Sequence, residues 1–135
     1  MRSIRQRRGI ATAEFAVLAP LLVLILLGSH DIATAVQSSL RLERATQAGA
    51  QRALADPSDL GAARAAVLAA LPGATGVEVP TPVLACSCDA APLTCGNPCA
   101  GIETRIITIT ARQTLSPWLL RGMSEGRGSA VLRLR

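Results

Sequence analysis

An uninterrupted apolar run from Ile10 to Gly28 constrains the fold of this chain more than any other feature, and Glu14 is the only ionisable residue in it. As an α-helix, these 19 residues measure about 28 Å, close to the roughly 30 Å hydrocarbon core of a bilayer. A helix that is apolar on every face does not suit the surface of a small soluble domain. We therefore predict a transmembrane helix at 10–28.

The charge of the chain is concentrated just before this run. Four arginines lie in the first eight residues, whereas the other ten nearly balance nine acidic residues. The net charge of +5 therefore falls to about +1 beyond residue 9. Because basic flanks stay in the cytoplasm, we expect a single-pass protein of the cytoplasmic membrane whose residues 29–135 are extracytoplasmic. The absence of a basic stripe and the presence of only two aromatic residues, Phe15 and Trp118, argue against nucleic-acid binding.

A removable secretory signal is an alternative interpretation of the same N-terminus. Its cleavage site would be Ala33-Thr34-Ala35, which is a weak match. The apolar run is longer than a usual signal, and it holds Glu14, a residue that is costly in lipid. Both features favour a retained helix.

The residues at the start of the run carry a family resemblance. A basic leader, Gly9, four further residues and then Glu14-Phe15 resemble the processing site of type IV pilin-like precursors. Segment 14–22 is particularly similar to the N-terminus of TadE-like proteins of the tight-adherence (Tad/Flp) pilus system. The resemblance implies that a membrane prepilin peptidase cleaves between Gly9 and Ile10, so that residues 1–9 are a leader. The spacing alone is a weak signal, but the leader and the apolar run make it more specific.

The resemblance also implies a role for Glu14 in assembly. Cleavage would leave an ammonium group on Ile10, one helical turn before Glu14, and a carboxylate near lipid needs a cationic partner or protonation. In pilin-like assemblies, that partner is the terminal amine of a neighbouring subunit. The alternative is a solvated Glu14 at the headgroup boundary, without a partner.

Residues 29–55 remain helix-forming and predict an amphipathic continuation of the same helix. Its apolar stripe could pack on its own domain or on another copy of the chain. The stripe consists of Ile32, Val36 and Leu40, followed by Ala45, Ala48 and Ala53.

A small α+β domain is predicted over residues 56–135. Asp56 and Pro57 indicate the start of a second helix of about 14 residues that ends at Pro72-Gly73. Its buried face is expected to contain Leu60, Ala63, Val67 and Leu71. Beyond Gly76, the pattern becomes that of a small antiparallel sheet. The predicted strands are 77–79, 83–85, 105–112 and 129–135, the first two interrupted by prolines as in an edge strand.

Four cysteines lie in a loop, 86–99, between two predicted strands. Outside the cytoplasm, an even number of closely spaced cysteines favours disulfides. A nested pairing, Cys86 with Cys99 and Cys88 with Cys95, suits a hairpin. The alternatives are a four-thiolate zinc site, whose spacing here departs from the usual pattern, and reduced or mixed thiols.

No constellation of residues in this sequence suggests catalysis or a bound cofactor. His30 lies at the membrane exit without a nucleophile beside it, and the acidic residues are scattered. Trp118 is interpreted as a packing anchor, with an exposed contact as the alternative. The sequence therefore predicts a non-enzymatic, pilin-like subunit, whose partners are a prepilin peptidase, other pilin-like subunits with their assembly platform, and the bilayer. An uncleaved membrane-anchored scaffold or binding module is the alternative function, and a small secreted protein is a third.

Overall fold

One helix dominates the structure. The computed structural model describes residues 3–134, with side chains from residue 14 onward. Helix α1 spans Ser3–Ala55 and continues through Pro20, which lacks the N–H for one helical hydrogen bond. The predicted membrane segment and its amphipathic continuation are therefore parts of a single element.

A short second helix, α2 (Leu60–Ala69), packs on the C-terminal part of α1. It begins later than the sequence indicated, because Asp59 and not Asp56 is the N-cap: its carboxylate accepts a hydrogen bond from the N–H of Ala62 at 2.8 Å. The side chain of Asp56 instead binds the backbone and hydroxyl of Ser58 in the preceding turn. The buried face was predicted correctly, and consists of Ala63, Val67 and Leu71 with Leu60 partly buried.

An antiparallel sheet forms the second layer, which confirms the predicted α+β class. Its strands are Val77–Glu78 (β1), Val83–Cys88 (β2), Ala91–Leu93 (β3), Glu103–Thr114 (β4) and Glu125–Leu134 (β5). Strand β4 is central: β5 pairs with it along one edge, while β1 and β2 share the other edge. The prolines after β1 explain why that edge is covered by two short strands instead of one long one.

The core lies between this sheet and the two helices. Strand β4 contributes the fully buried Ile107, Ile109 and Ala111, whose side chains point to one face because alternate residues of a strand do so. From α1, the core receives Leu42, Ala45, Gly49, Ala50 and Ala53. We call residues 29–134 the folded domain.

All four cysteines are paired, but not in the nested arrangement. Cys86 is bonded to Cys95 and Cys88 to Cys99, with Cα–Cα distances of 5.2 and 5.7 Å. The nested prediction is therefore wrong. Strand β2 pairs with β3 before the chain reaches Cys95 and Cys99. Residues 94–99 then return along β2, so that Cys95 meets Cys86 and Cys99 meets Cys88. Because the structure holds no free cysteine among the described residues, no thiolate of this loop is left to bind zinc.

Paired serine variants distinguish the two connectivities. We expect Cys86→Ser with Cys95→Ser to remove one native bond, to leave no free thiol, and to cost about 2–3 kcal/mol of stability. Cys86→Ser with Cys99→Ser removes a member of each bond, and it should expose two thiols. Thiol titration and urea unfolding under non-reducing conditions measure both effects. Free thiols in the first variant and none in the second would instead establish the nested pairing.

Candidate functional site: an exposed apolar helix and its junction with the domain

The N-terminal part of α1 has almost no protein contacts. From Phe15 to Leu26, nearly every large apolar side chain is more than half exposed, with Phe15 exposed to 67%. Within the described residues, α1 is the one helix that is long and apolar enough to cross a membrane. A contiguous apolar surface of this extent marks a contact with lipid or with other proteins. This segment is therefore a candidate membrane anchor.

The predicted processing and assembly residues lie at the start of this segment. Gly9 and Ile10 belong to α1, and they lie before residue 14, from which the structure describes side chains. Glu14 and Phe15 are both exposed on the helix surface. The ion pairs found among side chains 14–134 do not include Glu14. The structure thus leaves the carboxylate of Glu14 available to a group from outside residues 14–134.

A buried carboxylate joins the helix to the folded domain just beyond the apolar run. Asp31, only 2% exposed, accepts three backbone hydrogen bonds: from Trp118 at 3.0 Å, Leu119 at 2.7 Å and Leu120 at 2.9 Å. We call this arrangement the Asp31 clamp. It ties the loop between β4 and β5, residues 115–124, to the helix at the end of the candidate membrane segment.

The electrostatics of the clamp favour an ionised carboxylate. The hydrogen bond from Leu120, followed by those from Trp118 and Leu119, lowers the pKa of Asp31 below its ordinary value, and the adjacent His30 acts in the same direction. Burial raises the pKa, but its influence is smaller than that of each hydrogen bond, although larger than that of His30. Asp31 is therefore a negatively charged acceptor at neutral pH, which makes its hydrogen bonds stronger than those of a neutral group.

A second polar contact lies two turns further along α1. The hydroxyl of Ser38 donates to the side-chain oxygen of Gln113 at 2.7 Å, and the amide nitrogen of Gln113 donates to the carbonyl of Thr75 at 3.0 Å. Asp31, Ser38 and Leu42 thus mark the face of α1 that meets the domain.

The predicted apolar stripe of α1 divides between two environments. Its second half follows the prediction in part, because Ala45 and Ala53 are buried in the core. Its first half is not covered by the domain: Ile32, Val36 and Leu40 are each about half exposed. These three side chains form one wall of an open groove of about 560 Å³, whose other wall is the start of β5 and the turn before it.

The role of Asp31 was not predicted from the sequence, and the prediction for Trp118 was wrong. Its spacing of seven residues to Ser38 and eleven to Leu42 places Asp31 on the same helical face as those two residues. That spacing was the available signal. Trp118 is not a packing anchor, since its side chain is 79% exposed. Its backbone is held by Asp31, while its indole points outward.

Together, the fold and this junction define the class: an α+β protein that is carried on a long N-terminal helix with a candidate membrane anchor. The family model described as TadE-like protein matches residues 9–51, which cover the anchor and most of the rest of α1. Over these residues, the chain is similar to the TadE-like proteins, which are associated with the Tad pilus system. The search of curated proteins and the search of solved structures gave no significant match.

Proposed function

We propose that the chain is a minor pilin-like subunit, a pseudopilin, of Tad-type pilus assembly. One observation carries the proposal: the family match begins at Gly9, where an arginine-rich leader meets an apolar helix that has almost no contacts of its own. A leader that is cut off and a helix that associates with other helices account for both features. The chain acts in this role as a structural component and not as an enzyme.

Cleavage after Gly9 prepares the helix for assembly. The new ammonium group of Ile10 and the carboxylate of Glu14 are one helical turn apart on the same face. Within one chain they can neutralise each other only in part, whereas staggered neighbouring helices can bring the ammonium of one next to the carboxylate of another. The apolar side chains from Phe15 to Leu27 then provide the surface along which the helices associate within the bilayer.

The partners follow from this mechanism. They are the prepilin peptidase, other pilin-like subunits with their assembly platform, and the lipid bilayer; nucleic acid is not among them. The four leader arginines keep the N-terminus in the cytoplasm, so the folded domain is extracytoplasmic and available for contacts with other subunits. After assembly, the subunit either stays in the cytoplasmic membrane or enters a surface pilus.

An uncleaved membrane-anchored binding module is the second candidate function. The observation that favours it is the open groove between Ile32, Val36, Leu40 and β5, which offers a contact surface that is independent of processing. The secreted alternative fits the structure less well. Removal of the chain up to Ala35 would take away Asp31, and with it the acceptor for three backbone N–H groups of the domain.

Processing separates these candidates. When the full chain is co-expressed with the cognate prepilin peptidase, we expect the membrane-bound protein to begin at Ile10 and to have lost the mass of residues 1–9. Without the peptidase, the leader should be retained. Intact-mass spectrometry and N-terminal sequencing measure this. A chain that keeps its leader in the presence of active peptidase would contradict the pseudopilin and support the uncleaved module.

A pair of glycine variants makes the test specific. Gly9→Val places a branched side chain where the peptidase must approach the backbone, and it should abolish cleavage. Gly28→Val makes the same change at the other end of the apolar run, and cleavage should proceed as in the unmodified chain. Equal processing of both variants would mean that Gly9 is not the recognised site.

A further inference from the structure

We propose that loop 115–124 lies in the phospholipid headgroup layer on the side of the membrane that carries the domain, with Trp118 and Leu119 as its anchoring side chains. The inference rests on the membrane span of the proposed function, but on neither its cleavage nor its assembly. It gives the domain a second attachment to the membrane, besides the helix itself.

The order of contacts along α1 makes this loop the membrane-proximal tip of the domain. Gly128 lies against Leu42, and Gly126 lies against Ser38, one turn closer to the membrane segment. Asp31, two turns closer again, accepts the hydrogen bonds from the backbone of Trp118, Leu119 and Leu120. A Cβ atom on Gly28 would be 3.9 Å from Cδ2 of Leu119. The loop therefore reaches the last residue of the apolar run.

The depth of the loop follows from helix geometry. Asp31 lies three residues beyond Gly28, which corresponds to about 4.5 Å along the axis of a helix. The headgroup region on each side of a bilayer is roughly 5–7 Å thick. The backbone of Trp118, hydrogen-bonded directly to Asp31, thus lies within that layer when the apolar run 10–28 fills the hydrocarbon core.

The exposed side chains of the loop have the chemistry of this layer. Trp118 is 79% exposed, and its indole combines a large apolar ring with an N–H donor, the combination that is enriched at membrane interfaces. Leu119 and Met123 are also exposed, and Arg121 lies between them in the loop with an exposed side chain that can approach lipid phosphates. In water, such a cluster of apolar side chains at a domain tip would be unfavourable.

The exposure of Trp118 is imposed by the fold and is not a consequence of a loose loop. The Asp31 clamp holds three consecutive backbone N–H groups, and the N–H of Leu115 donates to the carbonyl of Ser124 at 2.8 Å to close the loop. A second copy of the chain could cover the same residues. We favour lipid because the loop is continuous with the lipid-exposed surface of α1 at Gly28.

Fluorescence of Trp118 tests the proposal directly, because the chain has no other tryptophan and no tyrosine. The full chain is reconstituted at low density into phosphatidylcholine vesicles whose acyl chains carry bromine near the headgroups or near the bilayer centre. We expect blue-shifted emission, strong quenching by the shallow bromines, little by the deep ones, and weak quenching by aqueous iodide. Asp31→Asn removes the charge of the clamp, and it should increase quenching by iodide severalfold while circular dichroism of the domain is retained.

A relocated tryptophan provides the control. Val131→Trp in a Trp118→Phe background places the indole on the exposed face of β5, away from the loop, and it should be open to iodide and unaffected by either bromolipid. The proposal is overturned if Trp118 behaves like this control in vesicles that float with the protein. It is equally overturned if Trp118 is protected from iodide only at high protein density and is not quenched by either bromolipid, since a second copy then covers it. Failure of the chain to float with vesicles would overturn the membrane span as well.

Discussion

Ile109→Ala is expected to lower the free energy of unfolding of the folded domain by about 2–5 kcal/mol. Ile109 is fully buried on the central strand, and its Cδ1 atom lies 3.6 Å from where a Cβ atom on Gly49 of α1 would be. A Cβ atom on Gly49 would also contact the side chain of Val67 in α2. Ile109 therefore fills the place where both helices and the sheet meet, and a cavity there cannot close by the movement of one element alone.

Ile102→Ala is the matched control, because it removes the same atoms from a side chain that is 71% exposed. Its backbone N–H still donates to Asp89, so we expect a change within about 0.5 kcal/mol. Urea unfolding of the full chain in detergent micelles, followed by circular dichroism, measures both variants. Similar losses in the two would show that the domain is not held together by the core described here.

Gly128→Ala has the second largest expected effect, a loss of about 2–3 kcal/mol or more. A Cβ atom at this position of β5 would lie 2.5 Å from the carbonyl carbon of Leu42 and 2.7 Å from the nitrogen of Glu43. Both are backbone atoms of α1, which cannot rotate away as a side chain can. The added methyl group must therefore push β5 and α1 apart.

Gly61→Ala adds the same methyl group in α2, and it should raise the free energy of unfolding instead of lowering it. Its Cβ atom would make only an ordinary contact, 3.4 Å from Asp59. Alanine is a better helix former than glycine by about 0.5–1 kcal/mol, so this variant should be slightly more stable than the parent. Thermal unfolding in micelles compares the pair. A Gly128→Ala variant as stable as Gly61→Ala would mean that β5 does not lie against the backbone of α1.

Some features of this protein could be predicted because their physical cause is local. The length and composition of the run from Ile10 to Gly28 are sufficient to make a helix suited to a bilayer. Likewise, the β-branched residues of segment 105–112 favoured a strand, and the structure extends that strand to Glu103–Thr114. The resemblance of the first residues of the run to TadE-like proteins was also confirmed, since the family match covers 9–51.

Other predictions failed where two options had nearly the same local energy. Either aspartate before α2 can cap a helix, and in the folded chain Asp59 caps α2, which packs against α1. Two of the three possible cysteine pairings, the nested one and the observed one, close loops of comparable length, and the pairing of β2 with β3 selects Cys86 with Cys95.

The sequence by itself determined the long apolar helix with its basic N-terminal flank, the α+β class and the buried face of α2, because each follows from composition or periodicity over neighbouring residues. Only the tertiary structure decided which face of α1 meets the domain, how the cysteines pair, and that Asp31 holds a loop nearly ninety residues away. The donors to Asp31 are backbone N–H groups, which almost every residue possesses. The donor residues of such a contact therefore cannot be recognised from the sequence, and only the folded chain brings the donors and the acceptor together.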